Sequence, residues 1–335
     1  MNSEFQAELV ETAQRLVSPG KGILAADESS PTLTKRFEKL SIVSNEESRR
    51  NWREMLFSAP GLSNWISGTI LYDETIRQSV SGGRSFAEFL SDHQIITGIK
   101  VDTGAKPLAG HPGETVTEGL DGLTQRVDEY YQMGARFAKW RAVIHIGDGL
   151  PTTGCIEANA HALARYAKIC QMGGLVPIVE PEVLMDGDHS MEMCYAATER
   201  TLQSTFSALR NQRVLLEAMI LKPSMVLPAA DSPSQASVTE VAQQSVTCYL
   251  RNVPASVAGI ALLSGGQPED IATAHLAAMN GLLRLPWPIT FSFGRALQDG
   301  PMRIWKGQAA NSDAAQKALI QLSEANSAAS VPNLD

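Results

Sequence analysis

The chain is poor in the features that mark several large functional classes. Of its 335 residues, 28 are Lys or Arg against 36 Asp or Glu, a formal net charge of −8. No basic run is long enough for a nucleic-acid backbone or an anionic membrane, so any anion site must be focused locally. Four cysteines, Cys155, Cys170, Cys194 and Cys248, fall without CxxC spacing, a pattern of buried free thiols in a reducing compartment. Histidines at 93, 111, 145, 161, 189 and 275 form neither HxH nor HExxH. No metal is therefore expected, and most of these rings are read as surface or helix residues. A P-loop and a GxSxG elbow are missing, which leaves nucleotide and serine hydrolysis without an anchor. No stretch reaches the roughly 18 apolar residues of a membrane span, and the N-terminus lacks a basic leader, so the expected location is cytoplasmic.

What is present is a repeat of strand and helix signals. Hydrophobic residues make up 44% of the chain and charged residues 19%, enough for a large buried core. After an amphipathic helix near residues 4–16, apolar runs end at Asp27, Asp73, Asp102, Ile144, Glu182, Lys222, Gly266 and Gly294, and helical patterns follow each. Eight alternations fit a (β/α)8 TIM barrel, because parallel strands need crossover helices. A doubly wound open sheet is the runner-up. Against it, no GxGxxG follows the first strand, and polar residues end nearly every strand instead of one switch point. The expected division is a single barrel domain over 1–306 and a C-terminal helix with a flexible tail over 307–335. Residues 103–119 read as a long working loop, and Pro181 as the end of regular pairing.

In a barrel the C-terminal strand ends share one mouth, which places Asp27, Asp73, Lys100, Asp102, Lys139, Arg141, Glu180, Glu182, Lys222, Ser264 and Arg295 around it. A solvated rim is the plain reading of any one of them. Charges spaced i and i+2, as in Lys100/Asp102, Lys139/Arg141 and Glu180/Glu182, all face one way, and a rim needs no such agreement. Lys222 ends the apolar run Leu215-Leu-Glu-Ala-Met-Ile-Leu. Either it reaches solvent, or desolvation and a neighbouring cation such as Lys139 lower its pKa and free an amine nucleophile. An amine attacking a carbonyl gives a Schiff base, and that chemistry needs acid and base groups, for which Glu180 and Asp27 are the candidates. Ser264-Gly265-Gly266 and Gly294-Arg295 have the makings of a phosphate cradle, with turn glycines as the plain alternative. Ser29, Thr32, Lys35, Arg36 and Lys100 offer a second anion site.

The runs Gly-Lys-Gly-Ile-Leu-Ala-Ala-Asp27-Glu-Ser, Gly-Ile-Lys100-Val-Asp102, Phe-Ala-Lys139-Trp-Arg141, Val-Pro-Ile-Val-Glu180-Pro-Glu182, Leu-Lys222-Pro, Leu-Ser264-Gly-Gly-Gln and Phe-Ser-Phe-Gly294-Arg295-Ala-Leu-Gln resemble the motifs of class I fructose-bisphosphate aldolase, in order from about residue 20 to 305. The resemblance implies a barrel, usually a homotetramer, that cleaves fructose 1,6-bisphosphate reversibly to two triose phosphates without metal or cofactor. It implies Lys222 as the Schiff-base lysine, Glu180 as acid/base for carbinolamine turnover and dehydration, Asp27 as base in cleavage and Lys139 as the electrostatic partner of Asp27. Ser264, Gly265, Gly294 and Arg295 match the 1-phosphate site, and Ser29, Thr32 and Lys100 the 6-phosphate region. Family members from animals and plants end in a tyrosine that moves a proton at the enamine carbon, whereas no tyrosine follows Tyr249 here. The alternatives are a related Schiff-base aldolase for another sugar phosphate and a non-catalytic barrel binding sugar phosphates or a protein.

Overall fold

A computed structural model describes residues 3–332. Ten strands run in chain order: β1 (Gly22–Ala25), β2 (Ile66–Leu71), β3 (Ile96–Lys100), β4 (Gly104–Pro107), β5 (Thr115–Glu118), β6 (Phe137–Ile144), β7 (Val176–Val183), β8 (Ile220–Leu221), β9 (Gly259–Leu262) and β10 (Ile289–Phe293). Eight of them close a barrel in the order β1-β10-β9-β8-β7-β6-β3-β2, every pair parallel. The open-sheet alternative falls with that closure. Helices on the outside bury one apolar layer against the barrel wall, and a second, smaller cluster fills the barrel itself.

The inner cluster explains where the site has to be. Ile23, Ala25, Ile70, Phe137, Val176, Ile178, Ala218, Ile220 and Ala261 pack inside the barrel, and Leu9, Ala13, Leu16 and Val17, from the helix Ser3–Leu16 and its end, plug the N-terminal opening. Side chains alternate along a strand, so the same inward rows continue toward the C-terminal ends as Asp27, Lys139, Arg141, Glu180, Glu182 and Lys222. Each row begins apolar and ends charged. Gly98 on β3 is part of the packing: a Cβ there would lie 2.2 Å from the Phe137 ring of the next strand.

Several local readings of the sequence change. The run Leu215–Leu221 is a strand only at Ile220–Leu221; residues Leu216–Ala218 form a 3-10 turn. The Gln171 amide takes over the missing ladder bonds, donating to Leu215 O and Ala218 O and accepting from Leu215 N. Pro181 does not end β7, which stays paired with β6 to Val183. Val179 O already accepts the Lys222 N–H on the β8 side, so the N–H that Pro181 lacks would point past the end of β8. The expected loop 103–119 holds the antiparallel hairpin β4–β5. Asp73 leaves the mouth by starting a short helix and pairing with Arg77, while Tyr130 donates to it at 2.8 Å. The expected C-terminal helix runs from Ser312 to Ala329 and is docked: Ala315 and Leu319 are fully buried and Gln316 Nε2 donates to Met55 O at 2.9 Å. The last three residues of the expected tail lie outside the described residues.

Gly98→Ala is expected to destabilise the fold by roughly 1–3 kcal/mol through overpacking against Phe137. Denaturant unfolding checks this, and a smaller residue at 137 should recover part of the loss in the double variant.

Candidate active site

The C-terminal mouth opens on a cavity of about 590 Å³ lined by Asp27, Lys100, Lys139, Glu180, Lys222, Arg295 and their neighbours. A larger space of about 750 Å³ lies beside Arg15, Arg77 and Arg136, near the strand starts, and none of the expected site residues lines it. Chemistry, not volume, identifies the site.

At its floor four charges from four strand ends meet. Lys139 Nζ sits 2.7 Å from Asp27 Oδ2 and 3.3 Å from Glu180 Oε2, and Lys222 Nζ sits 3.3 Å from Glu180 Oε1. All four residues are buried. The contacts of Glu180 Oε2 lack hydrogen-bond geometry, so that oxygen is held by charge alone. Burial by itself would raise the Asp27 carboxyl, but Lys139, then Lys222 and Lys100, more than offset it and bring its pKa down to about 2. Burial likewise works against ionised Glu180, and Lys139, Lys222 and Arg141 outweigh it, so its pKa falls. For Lys139, burial favours the neutral amine, yet Asp27, Glu180 and Asp102 push the pKa up. The floor therefore holds two ionised carboxylates around a fixed ammonium, with Lys222 beside one of them.

Two walls rise from that floor. On the first, Ser264 and Gly265 after β9 stand next to Gly294 and Arg295 after β10. Gly265 and Gly266 take φ of +62° and +99°, a left-handed turn that favours glycine. Gly266 does not line the cavity; it backs Arg295, whose guanidinium would lie 2.9 Å from any Cβ there. The helix Arg295–Trp305 is tied to β1 by Gln298, which donates to Ala25 O at 2.6 Å and accepts from Trp52 Nε1 at 3.3 Å. On the second wall, Ser29 and Thr32 hydroxyls meet at 3.0 Å near Lys35 and Lys100. Arg36 reaches this wall with both arms occupied, by Glu28 and by Asp299 at 2.7 Å. Glu28 is also paired at 2.8 Å with the buried Arg53. Arg141 and Glu182 form an ion pair at the rim between the walls.

Sequence reasoning missed Ser292, whose buried Oγ lines the cavity without a partner among the described residues. Its signal was parity, since it lies two residues before Gly294 on the inward row. His189 and His275, read as surface or helix residues, are both buried, His275 on a helix and bonded to Gln267. Among the described residues no cluster of three His, Cys, Asp or Glu is arranged to hold a metal.

An amine beside a carboxylate, a second carboxylate for proton removal and two cationic walls can form an imine with a phosphorylated ketone and break a neighbouring carbon–carbon bond. Fold and site thus define a (β/α)8-barrel enzyme of the aldolase class. The family model for fructose-bisphosphate aldolase class-I matches residues 8–334. A probable fructose-bisphosphate aldolase class 1 of Xanthomonas campestris is 55% identical over 97% of both chains, and the fructose-bisphosphate aldolase of Dictyostelium discoideum is 48% identical over 98% of this chain and 93% of its own. A crystal structure of the Plasmodium falciparum aldolase, in complex with TRAP and a small-molecule inhibitor, superposes with a TM-score of 0.98 at 43% identity, covering 100% of this chain and 97% of that one. The chain belongs to the class-I fructose-bisphosphate aldolase family.

The depressed Asp27 pKa makes a pH prediction. A carboxyl near 2 in the fold and about 3.9 unfolded stabilises the protein fully above about pH 4 and loses that contribution as pH falls toward 2. The unfolding free-energy gap between wild type and Asp27→Asn should be flat from pH 7 to about 4 and narrow by about 2 kcal/mol below it.

Proposed function

We propose that this chain cleaves fructose 1,6-bisphosphate reversibly to dihydroxyacetone phosphate and glyceraldehyde 3-phosphate through an imine on Lys222. The observation that carries this reading is the buried Lys222 amine 3.3 Å from Glu180, on the same floor as the Lys139–Asp27 pair. The Lys222 ammonium passes a proton to Glu180, and the neutral amine adds to C2 of the open-chain ketose. Glu180 then protonates the oxygen of the carbinolamine, which leaves as water and yields a protonated imine. Asp27, ionised and aimed into the cavity, takes the proton of the C4 hydroxyl. The C3–C4 pair flows into the imine, releasing the aldehyde and leaving an enamine. Protonation of C3 and return of water free the second triose phosphate. The protonated imine is the electron sink, so the mechanism calls on no metal.

Lys139 keeps both carboxylates ionised and in place between proton transfers. Ser264, Gly265, Gly294 and Arg295 take the 1-phosphate, using backbone N–H groups at a helix start together with a guanidinium, and Gly266 supports Arg295. Ser29, Thr32 and Lys100 take the 6-phosphate. Arg36 is assigned to the same wall, where a phosphate would replace Asp299 as its partner, while Arg141 and Glu182 flank the sugar. Residues 1–306 form the catalytic domain in this reading, and 307–335 an appended helix and tail. A homotetramer is proposed from the family resemblance, and a cytoplasmic setting is supported by four buried free thiols and a cytosolic relative from Arabidopsis thaliana.

Borohydride reduction in the presence of substrate, followed by peptide mass mapping, should place the adduct on Lys222; an adduct elsewhere overturns the assignment. Glu180→Gln should lower kcat by about 10²–10⁴-fold, the range for a lost acid–base group. Light scattering should return four times the chain mass.

A further inference from the structure

We infer that Asp102 is a specificity-determining positioning residue, which holds Lys100 so that the enzyme favours a ketose bisphosphate over a ketose 1-phosphate. The inference rests on the reading that Lys100 meets the 6-phosphate.

The carboxylate of Asp102 is almost wholly buried, its side chain 2% exposed, and lies 2.6 Å from Lys100 Nζ. Lys100 Nζ also donates to the main-chain oxygen of Asp102 at 2.9 Å. The carboxylate is itself fixed by two backbone donors, Gly104 N to Oδ1 at 3.1 Å and Arg141 N to Oδ2 at 3.3 Å. Those donors reveal why an acid stands there. The β3–β6 ladder reaches its last rung where Val101 N donates to Lys139 O. Val101 O is occupied by Arg126 Nη1 at 2.8 Å, so the next donor, Arg141 N, turns to Asp102. The side chain thereby finishes a backbone ladder, which makes it a rigid support and not a mobile counter-ion.

An ammonium has three donors in tetrahedral arrangement. With one of them given to the Asp102 main-chain oxygen and the ammonium drawn to the Asp102 carboxylate 2.6 Å away, the directions left to the other donors are narrowed, and Lys100 lines the cavity with its side chain 16% exposed. Released, a lysine on four rotatable bonds spreads over many rotamers and loses that aim. The negative charge of Asp102 does not confront the substrate alone, because Lys139 on the floor and Arg141 at the rim both feel it. Lys100 lines the cavity with Ser29 and Thr32, and its strand β3 stands four places round the closed ring from β9, after which Ser264 follows. A ketose 1-phosphate needs only the far wall, so a loosened Lys100 penalises the bisphosphate selectively.

The test is kcat/KM for fructose 1,6-bisphosphate and fructose 1-phosphate in Asp102→Asn, Lys100→Met and the double variant. Asp102→Asn should lower the bisphosphate to 1-phosphate ratio about tenfold, chiefly through KM for the bisphosphate, and should have no further effect on the ratio in the Lys100→Met background. If Asp102→Asn lowers both sugars equally, or lowers the ratio as much without Lys100, the inference is overturned and Asp102 is structural. If Lys100→Met lowers the ratio but Asp102→Asn does not, the inference alone fails. If Lys100→Met leaves the ratio unchanged, the 6-phosphate reading fails and takes the inference with it. Should Asp102→Asn not fold, Asp102→Glu, which keeps the charge but shifts it by one methylene, must lower the same ratio.

Discussion

Everything at the mouth of this barrel is arranged around one buried cation. Lys139 stands between Asp27 and Glu180 with almost no access to water, and a buried ion tolerates that only if it is paired on all sides. Its partners come from different strands, so no local segment can build the cluster. The register does it: Lys139 pairs with Ile178 and Arg141 with Glu180 across β6 and β7, which sets the inward rows side by side. A slip of one residue would turn every inward charge outward. Placement of the Lys139 ammonium between its carboxylates is thus a consequence of sheet geometry before it is a matter of side-chain contacts.

Outside this cluster the arginines of the walls are held by supporting groups, of which Gln298, Gly266 and Arg53 stay out of the cavity lining and Glu28 belongs to it. Gln298 ties the helix bearing Arg295 to the strand bearing Asp27, and Gly266 yields the space that the Arg295 guanidinium occupies. On the opposite wall, Glu28 is shared by Arg36 and the buried Arg53. Groups placed within fractions of an ångström need such fixed neighbours, because an unsupported long side chain samples several rotamers. The charged walls accordingly coexist with a net-negative chain, since the positive field is made by position and not by abundance.

Most of this was legible in the sequence, and for an identifiable reason. Inward rows of a parallel barrel carry a period of two, and Lys100/Asp102, Lys139/Arg141 and Glu180/Glu182 each display it with charges against an apolar background. Strand existence was clear for the same reason. Asp73 was misplaced because a carboxylate after a strand serves equally to start a helix. The extent of β8 escaped because Gln171, distant in sequence, satisfies the backbone that a ladder otherwise would. Ser292 carried no charge to draw attention, and the roles of Gln298 and Arg53 depend on tertiary partners that no local pattern encodes.

The pairing of β1 with β10 also dictates the order in which the molecule can come into being. Gln298 and Ala25, which seal that seam, are 273 residues apart. At ordinary synthesis rates the early strand waits on the order of tens of seconds for its far neighbour to leave the ribosome. Throughout that interval one edge of Gly22–Ala25 is an open template for pairing with another chain. Non-local closure is slow as well as late. A strand of only four residues limits that exposed edge, so the brevity of β1 protects the nascent chain, while the docked helix that follows β10 arrives in time to lock the finished ring.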